Sequence, residues 1–202
     1  QAIGEMDRTI GRLIFGLKTR GLFEKVNIVL VSDHGMAETS PDSMIFLDDL
    51  IDMDLIKIID GTPVAAIQPL GDLDSIYNIL KNSNSAMEIY KKGEVPERLH
   101  YNNHRRIQPL ILAAKEHWSI STNDYFIDDD HAQRFNGATH GYDPKYVSMR
   151  GIFLAHGPAF KKNLVGPGIS NIHLYEMMCK ILGIYPADND GQLDSTTIFL
   201  KN

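Results

Sequence analysis

The apolar residues at the start of the chain recur in helical steps. Ile3, Met6, Ile10, Leu13, Ile14 and Leu17 follow i, i+3, i+4, i+7 spacing, which predicts an amphipathic helix over about residues 2–19, with Gly21 as its stop. The pattern then changes. Val26 to Val31 (VNIVLV) is short, nearly continuous and rich in β-branched residues. That composition suits a strand buried on both faces of a parallel sheet. A polar stretch, Ser32 to Ser43, follows. Helix, short link, buried strand and polar loop in that order are the α/β signature. In open α/β sheets ligands bind beyond the carboxyl ends of the strands, so the loop that begins at Asp33 is a candidate site.

The same reading continues downstream. Val64 to Leu70 is a strand closed by Gly71, and residues 72–82 (DLDSIYNILKN) form a helix with Asp72 as N-cap. Pro109 to Ala114 and Trp118 to Ser121 are strands. Asn123 to Asp143 is rich in Asp, Gly and Asn and reads as a long loop, a class that is often functional. Gly151 to Ala155 (GIFLA) is another short buried strand, and Ile172 to Leu182 is a helix ended by Gly183. No repeat or low-complexity segment interrupts this order. One α/β domain, or part of one, accounts for residues 1–202: a mostly parallel central sheet flanked by helices.

Bulk numbers narrow the function classes. The chain has 202 residues, 43% of them apolar, enough for a sizeable core. A net charge of −6 gives no basic field to draw in a nucleic-acid duplex. It says little about a small phosphorylated substrate, because metal ions can dominate a site's field. No apolar run reaches bilayer length, and no basic-then-apolar leader opens the chain. Gln1 enters the helical pattern with no strand or cap before it, so the chain is expected to continue a longer polypeptide. Cys179 is the single cysteine. It is either a buried free thiol or the partner of a cysteine on another chain.

Two segments hold residues suited to chemistry. In Val31-Ser32-Asp33-His34-Gly35-Met36 a carboxylate and an imidazole stand where a buried strand gives way to a loop. Both are good zinc ligands. In a regular strand they would point to opposite faces; at a strand end beside Gly35, which permits unusual dihedrals, they can converge. The alternative is an Asp capping the next segment beside a satisfied histidine. In Ala138-Thr139-His140-Gly141-Tyr142-Asp143 a second histidine precedes a glycine in the long loop. It is either a further ligand or a surface histidine. His156-Gly157-Pro158, after the GIFLA strand, reads as structural. Tyr125, Phe126 and Tyr142 either line a pocket mouth or anchor packing. His100 and Tyr101 fix a strand-to-loop geometry, and Trp118 belongs to the core.

These segments also stand in a familiar order. VSDHGM, VPERLHY (95–101), THGYDP (139–144), GIFLAHGPAFKKN (151–163) and YEMMCKILGIYP (175–186) resemble, in register, the nucleotide pyrophosphatase/phosphodiesterase family of the alkaline phosphatase superfamily. MDRTIGRLIFGLK (6–18) resembles the family's helix before the Asp-His strand. The likeness covers nearly the whole chain. It implies an alkaline-phosphatase-like fold, of which this chain is the C-terminal half.

It also implies a site of two Zn2+ ions, with Asp33 and His34 on one and His140 on the other. The family's remaining ligands and its nucleophile, usually a threonine, belong to segments expected upstream; no Pro-Asp-x-x-Gly-His pattern occurs here, so no catalytic nucleophile is assigned to this chain. His131, beside Asp128, Asp129 and Asp130, matches no family ligand and reads as part of a solvated acidic loop. The resemblance therefore implies a hydrolase of nucleotide phosphodiester or pyrophosphate bonds, in the extracellular or secretory space. The N-terminal half would be a separate chain, with Cys179 as a possible disulfide link. Two alternatives stand beside it: a choline-phospholipid phosphodiesterase of the same family, and a non-catalytic fragment or binding module.

Overall fold

The computed structural model describes residues 1–127 and 129–201, without the side chains of residues 129 and 130. In chain order the described residues form α1 (Ala2–Thr19), β1 (Ile28–Val31), β2 (Ala37–Thr39), β3 (Met44–Phe46), β4 (Ile56–Asp60), β5 (Val64–Pro69), α2 (Leu73–Lys81), β6 (Met87–Lys91), β7 (Leu110–Ala114), β8 (Ser119–Ser121), α3 (Asn123–Phe126), α4 (Asp129–Gln133), β9 (Gly137–Thr139), β10 (Phe153–His156) and α5 (Leu174–Leu182). They gather into two compact units, one of Gln1–Asp33 with Ile152–Asn202, the other His34–Gly151.

In the first unit α1 ends as its sequence predicts. Gly21 takes φ +65, its N–H donates to the Lys18 carbonyl at 3.0 Å, and the Leu22 N–H donates to the Leu17 carbonyl at 2.9 Å. This is a Schellman closure, which needs a residue that tolerates the left-handed region. None of the helix's residues is buried. β1 pairs with β10, Ile28 opposite His156 and Val31 opposite Phe153, and the pairing is antiparallel. The sequence expectation of a parallel strand buried on both faces is corrected here: residues 28–30 are half-buried and Val31 is exposed. A β-branched apolar run reports burial propensity, but nothing in it encodes the direction of its neighbour. α5 turns Met177 and Cys179 inward, at 0% and 3% exposure. Cys179 is buried and pairs with no cysteine of this chain.

The second unit is built on a four-stranded antiparallel sheet, order β4-β5-β7-β6. Leu110, Leu112 and Ala114 of β7 face the main core, with Ile67, Ile89, Leu47 and the buried face of α2 (Ile76, Tyr77, Leu80). Ile111 faces the other way, into a smaller cluster with Ala66, Val95 and Ile107. Apolar matter on both faces explains why LILAA shows no polar alternation although its neighbours are antiparallel. α2 begins where Asp72 predicts: the carboxylate accepts from the Ser75 N–H at 2.8 Å. β3 and β8 make a parallel pair, and β2 and β9 an antiparallel one. The long loop expected over residues 123–143 carries α3, α4 and β9. These elements are three to five residues long, too short for periodicity to register against a polar background.

Candidate metal centre

Asp33 is the last residue of the first unit. Just before it, the Ser32 N–H donates to the Ile152 carbonyl at 3.1 Å, and the Ile152 N–H donates to Ser32 Oγ at 2.9 Å. The β1–β10 pairing is thereby carried one step further. Asp33 itself is exposed, and its carbonyl accepts from Asn171 Nδ2 at 3.5 Å.

The second unit opens at His34, which is half-buried. Its backbone is seated on the segment 148–150: the Gly35 N–H donates to the Met149 carbonyl at 2.9 Å, and the Met36 N–H to the Ser148 carbonyl at 2.8 Å. A Cβ on residue 35 would stand 1.9 Å from the Ser148 carbonyl oxygen and 2.7 Å from that of Arg150. Glycine is therefore required for close approach. The expected reason, an unusual dihedral, does not apply, since Gly35 is not among the residues with positive φ. His34 Nδ1 lies 2.7 Å from the Gly35 carbonyl oxygen. A carbonyl only accepts, so Nδ1 is the donor in this contact.

His140 comes to the same place from the other end of a short ladder. β2 and β9 pair Ala37 with Thr139, so residue 140 leaves the ladder alongside the chain that enters it from His34. The two imidazoles stack, with ring centres 3.6 Å apart and planes 16° apart. The segment after His140 is tied down at each step. Gly141 has φ +102, where a side chain would be strained. Tyr142 is 4% exposed and donates its hydroxyl to the Trp118 carbonyl at 3.0 Å; burial pushes its phenol pKa up. Asp143 receives a fork from Arg98, at 2.7 and 2.6 Å. The Lys145 N–H adds a third hydrogen bond at 2.9 Å, and Lys145 Nζ lies 3.3 Å away. The Arg98 donors hold the Asp143 carboxyl at about 2. Close by, burial, reinforced by a hydrogen bond to Glu88, pushes the Tyr90 phenol up to about 12.

Imidazole suits zinc in donor type. The number of donors is smaller than a closed cage needs. Zinc takes at least three protein ligands, and among the described residues no group of three or more His, Cys, Asp or Glu side chains is arranged to hold a metal. The structure brings His34 and His140 together; Asp33 is described with the other unit.

Several of the other histidines and aromatics make ring or packing contacts. His131 stacks on Tyr125 at 4.0 Å, with Nδ1 3.1 Å from the Tyr125 carbonyl. Asp128 and the side chains of Asp129 and Asp130 lie outside the described residues. Phe126 meets Phe46 edge-on at 5.2 Å. Trp118 is half-buried against the main core. His100 takes a left-handed φ of 48 where the turn 97–99 ends. His156 stacks on Phe23 at 4.1 Å, in keeping with its structural reading. The residue that sequence reasoning missed is Arg98. It stands within VPERLHY and its partner within THGYDP, yet 45 positions separate the pair. Spacing gave no sign that the two motifs meet.

Known proteins share this sequence and fold. The family model for type I phosphodiesterase / nucleotide pyrophosphatase matches residues 1–143. Bis(5'-adenosyl)-triphosphatase enpp4 of Xenopus laevis is 40% identical over 200 residues, 98% of this chain and 42% of that protein. Ectonucleotide pyrophosphatase/phosphodiesterase family member 5 of Homo sapiens is 40% identical over 190 residues, 94% of this chain and 38% of that protein. The chain thus spans about two fifths of the curated relatives it matches. The solved structure of human ectonucleotide pyrophosphatase/phosphodiesterase 5 superposes with a TM-score of 0.89 at 38% identity, covering 100% of this chain and 52% of that one. The α/β fold is accordingly of the alkaline-phosphatase-like kind, and its extent is consistent with the C-terminal half. With both sequence and fold matched along nearly its whole length, the chain belongs to the type I phosphodiesterase / nucleotide pyrophosphatase family.

Proposed function

We propose that this chain supplies part of a two-zinc site that hydrolyses phosphodiester or pyrophosphate bonds in nucleotides. Asp33 and His34 would hold one ion, and His140 the other. A separate chain, corresponding to the N-terminal half of the domain, would bring the remaining ligands and a threonine or serine nucleophile. The observation that carries this is the His34–His140 stack, with ring centres 3.6 Å apart, and His34 Nδ1 held 2.7 Å from the Gly35 carbonyl oxygen. Bound zinc supplies a lowered pKa for a coordinated hydroxyl and neutralises charge on non-bridging phosphate oxygens.

What the chain's own residues do is orient. The Gly35 carbonyl fixes the His34 ring plane. The seat of Gly35 on residues 148–150 sets the height of that ring. The buried Tyr142 and the forked Asp143 set the path of the chain through His140. Two relatives' names bear on substrate and place. A bis(5'-adenosyl)-triphosphatase at 40% identity favours a nucleotide over a choline phospholipid, and the "ecto" of family member 5 favours an extracellular setting. No helix among the described residues is long and apolar enough to cross a membrane. The buried Cys179 favours packing over a disulfide as what holds the companion chain.

The absence of a three-ligand group among the described residues favours one other reading, a non-catalytic binding module. Intact mass of the native protein, reduced and unreduced, with zinc measured alongside, separates the two. A second polypeptide with two zinc ions per complex is the expected result. Asp33→Ala, His34→Ala and His140→Ala should then each abolish hydrolysis of a nitrophenyl phosphodiester. A single 202-residue species without zinc would instead establish the module.

A further inference from the structure

We propose that Arg98 is a positioning residue for His140, acting through the fork it makes on Asp143. The inference rests on the metal reading of His140 given above. Three observations support it. The fork is bidentate and short, at 2.7 and 2.6 Å, the geometry that sets both distance and orientation of a carboxylate. Asp143 stands three residues after His140, and the residues between are constrained: Gly141 has φ +102 and faces the Pro63 ring, and Tyr142 is held by the core and by its hydroxyl on the Trp118 carbonyl. A movement of Asp143 is therefore passed to His140 rather than absorbed. On the other side of His140, β9 is tied to β2, whose chain begins at the His34 seat. The Asp143 clamp fixes the one end of the His140 segment that no ladder holds.

An ordinary exposed ion pair would have no such consequence. Arg98 is 49% exposed at its side chain, which alone would make the pair weak, but Asp143 is only 13% exposed and accepts from three directions. Lys145 cannot replace Arg98. Its ammonium lies 3.3 Å from one carboxylate oxygen and 3.8 Å from Glu88, and it offers no planar fork.

The test uses the native protein, with any polypeptide that co-purifies, and Co2+ in place of zinc. Cobalt equivalents are titrated by their visible absorption against a competing chelator, so no turnover is needed. His140→Ala should remove one equivalent. Arg98→Ala and Asp143→Asn should weaken that same equivalent about 10- to 100-fold and leave the other at native affinity, the range found when a group that orients a metal ligand is lost. Arg98→Lys, which keeps charge and stem, should not restore it. In the metal-free protein, amides 140–143 should exchange faster in Arg98→Ala than in wild type. Native cobalt affinity in Arg98→Ala beside a lost equivalent in His140→Ala overturns the clamp and leaves the metal reading intact. Both equivalents retained in His140→Ala overturn the metal reading and the clamp with it. Equal weakening of both equivalents makes Arg98 a general structural residue, against the proposal. Where Arg98→Ala does not fold, Arg98→Lys carries the same comparison, and native affinity in it is equally fatal.

Discussion

Asp143 gives the clearest electrostatic prediction at the scale of single residues. Its carboxyl is held at about 2, chiefly by the Arg98 hydrogen bonds, against an ordinary value of 3.8. The folded pKa lies below the unfolded one, so the pair's contribution is fully present above about pH 4 and is lost as pH falls through 2. The shift would correspond to roughly 2 kcal/mol; with Arg98 half-exposed, about 1 kcal/mol is the expected effect. Urea unfolding of wild type and Asp143→Asn should differ by that amount at pH 6 and converge at pH 2. A constant difference across the range would remove the ion pair as its source. Gly35 gives a steric prediction. A methyl group there meets a backbone carbonyl at 1.9 Å, and backbone cannot move aside as a side chain can. Gly35→Ala should cost about 3 kcal/mol or more, and a loss below 1 kcal/mol by urea denaturation would show that the 148–150 segment yields. Asp-His-Gly and His-Gly-Tyr-Asp stand out in the sequence by residue type, and the structure brings His34 and His140 together. Why residue 35 must be glycine, and that Arg98 answers Asp143, depend on contacts between segments far apart in sequence, which no local pattern contains.

Among the elements, those with a strong period or a defined end were legible, and those decided by their neighbours were not. α1 and α5 both close on glycines in the left-handed region, at Gly21 and Gly183, and both ends can be read directly. α2 is marked by Asp72, whose carboxylate takes both the N–H and the hydroxyl of Ser75. Asp72→Ala should therefore lower stability by about 1 kcal/mol, the usual cost of an N-cap, while Asp72→Asn should lose much less; equal losses in thermal unfolding would argue against a capping role. β7 was legible because apolar matter lies on both its faces. β2 and β3 escaped notice for the opposite reason: at three residues each, they are strands only because β9 and β8 lie alongside. β4 (IKIID) and β6 (MEIYK) begin an alternation that the adjacent pairs Ile58-Ile59 and Ile89-Tyr90 break, so neither run holds period 2 for its length. β1 shows the remaining limit. Its run of β-branched residues foretold a strand, but the antiparallel partner is β10, more than 120 residues later.

At the scale of the whole molecule the first unit poses a question of cover. α1 presents Ile3, Met6, Leu13 and Phe15 to solvent at 87%, 61%, 56% and 69% exposure, and none of its residues is buried. On the two-stranded sheet of the same unit, Val31 and Leu154 are also exposed, at 46% and 55%. Burying a large apolar side chain is worth roughly 1.5–3 kcal/mol, so the three that share one face, Ile3, Met6 and Leu13, represent about 4.5–9 kcal/mol. That is comparable with the entire stability of an ordinary domain. A helix patterned this strongly and left uncovered should be marginal, because most helical stability in proteins comes from packing an apolar face. In the proposed reading the rest of the domain supplies that cover: the superposed human structure is nearly twice as long as the part this chain matches. Expressed alone, the chain should therefore bind a hydrophobic dye strongly or aggregate, with amide exchange in residues 2–19 fast compared with β5 and β7. Adding the proposed companion chain should quench the dye and slow exchange in α1 first. A monodisperse, dye-negative chain with a protected α1 would mean that these side chains find their cover within the 202 residues, against the proposed two-chain assembly.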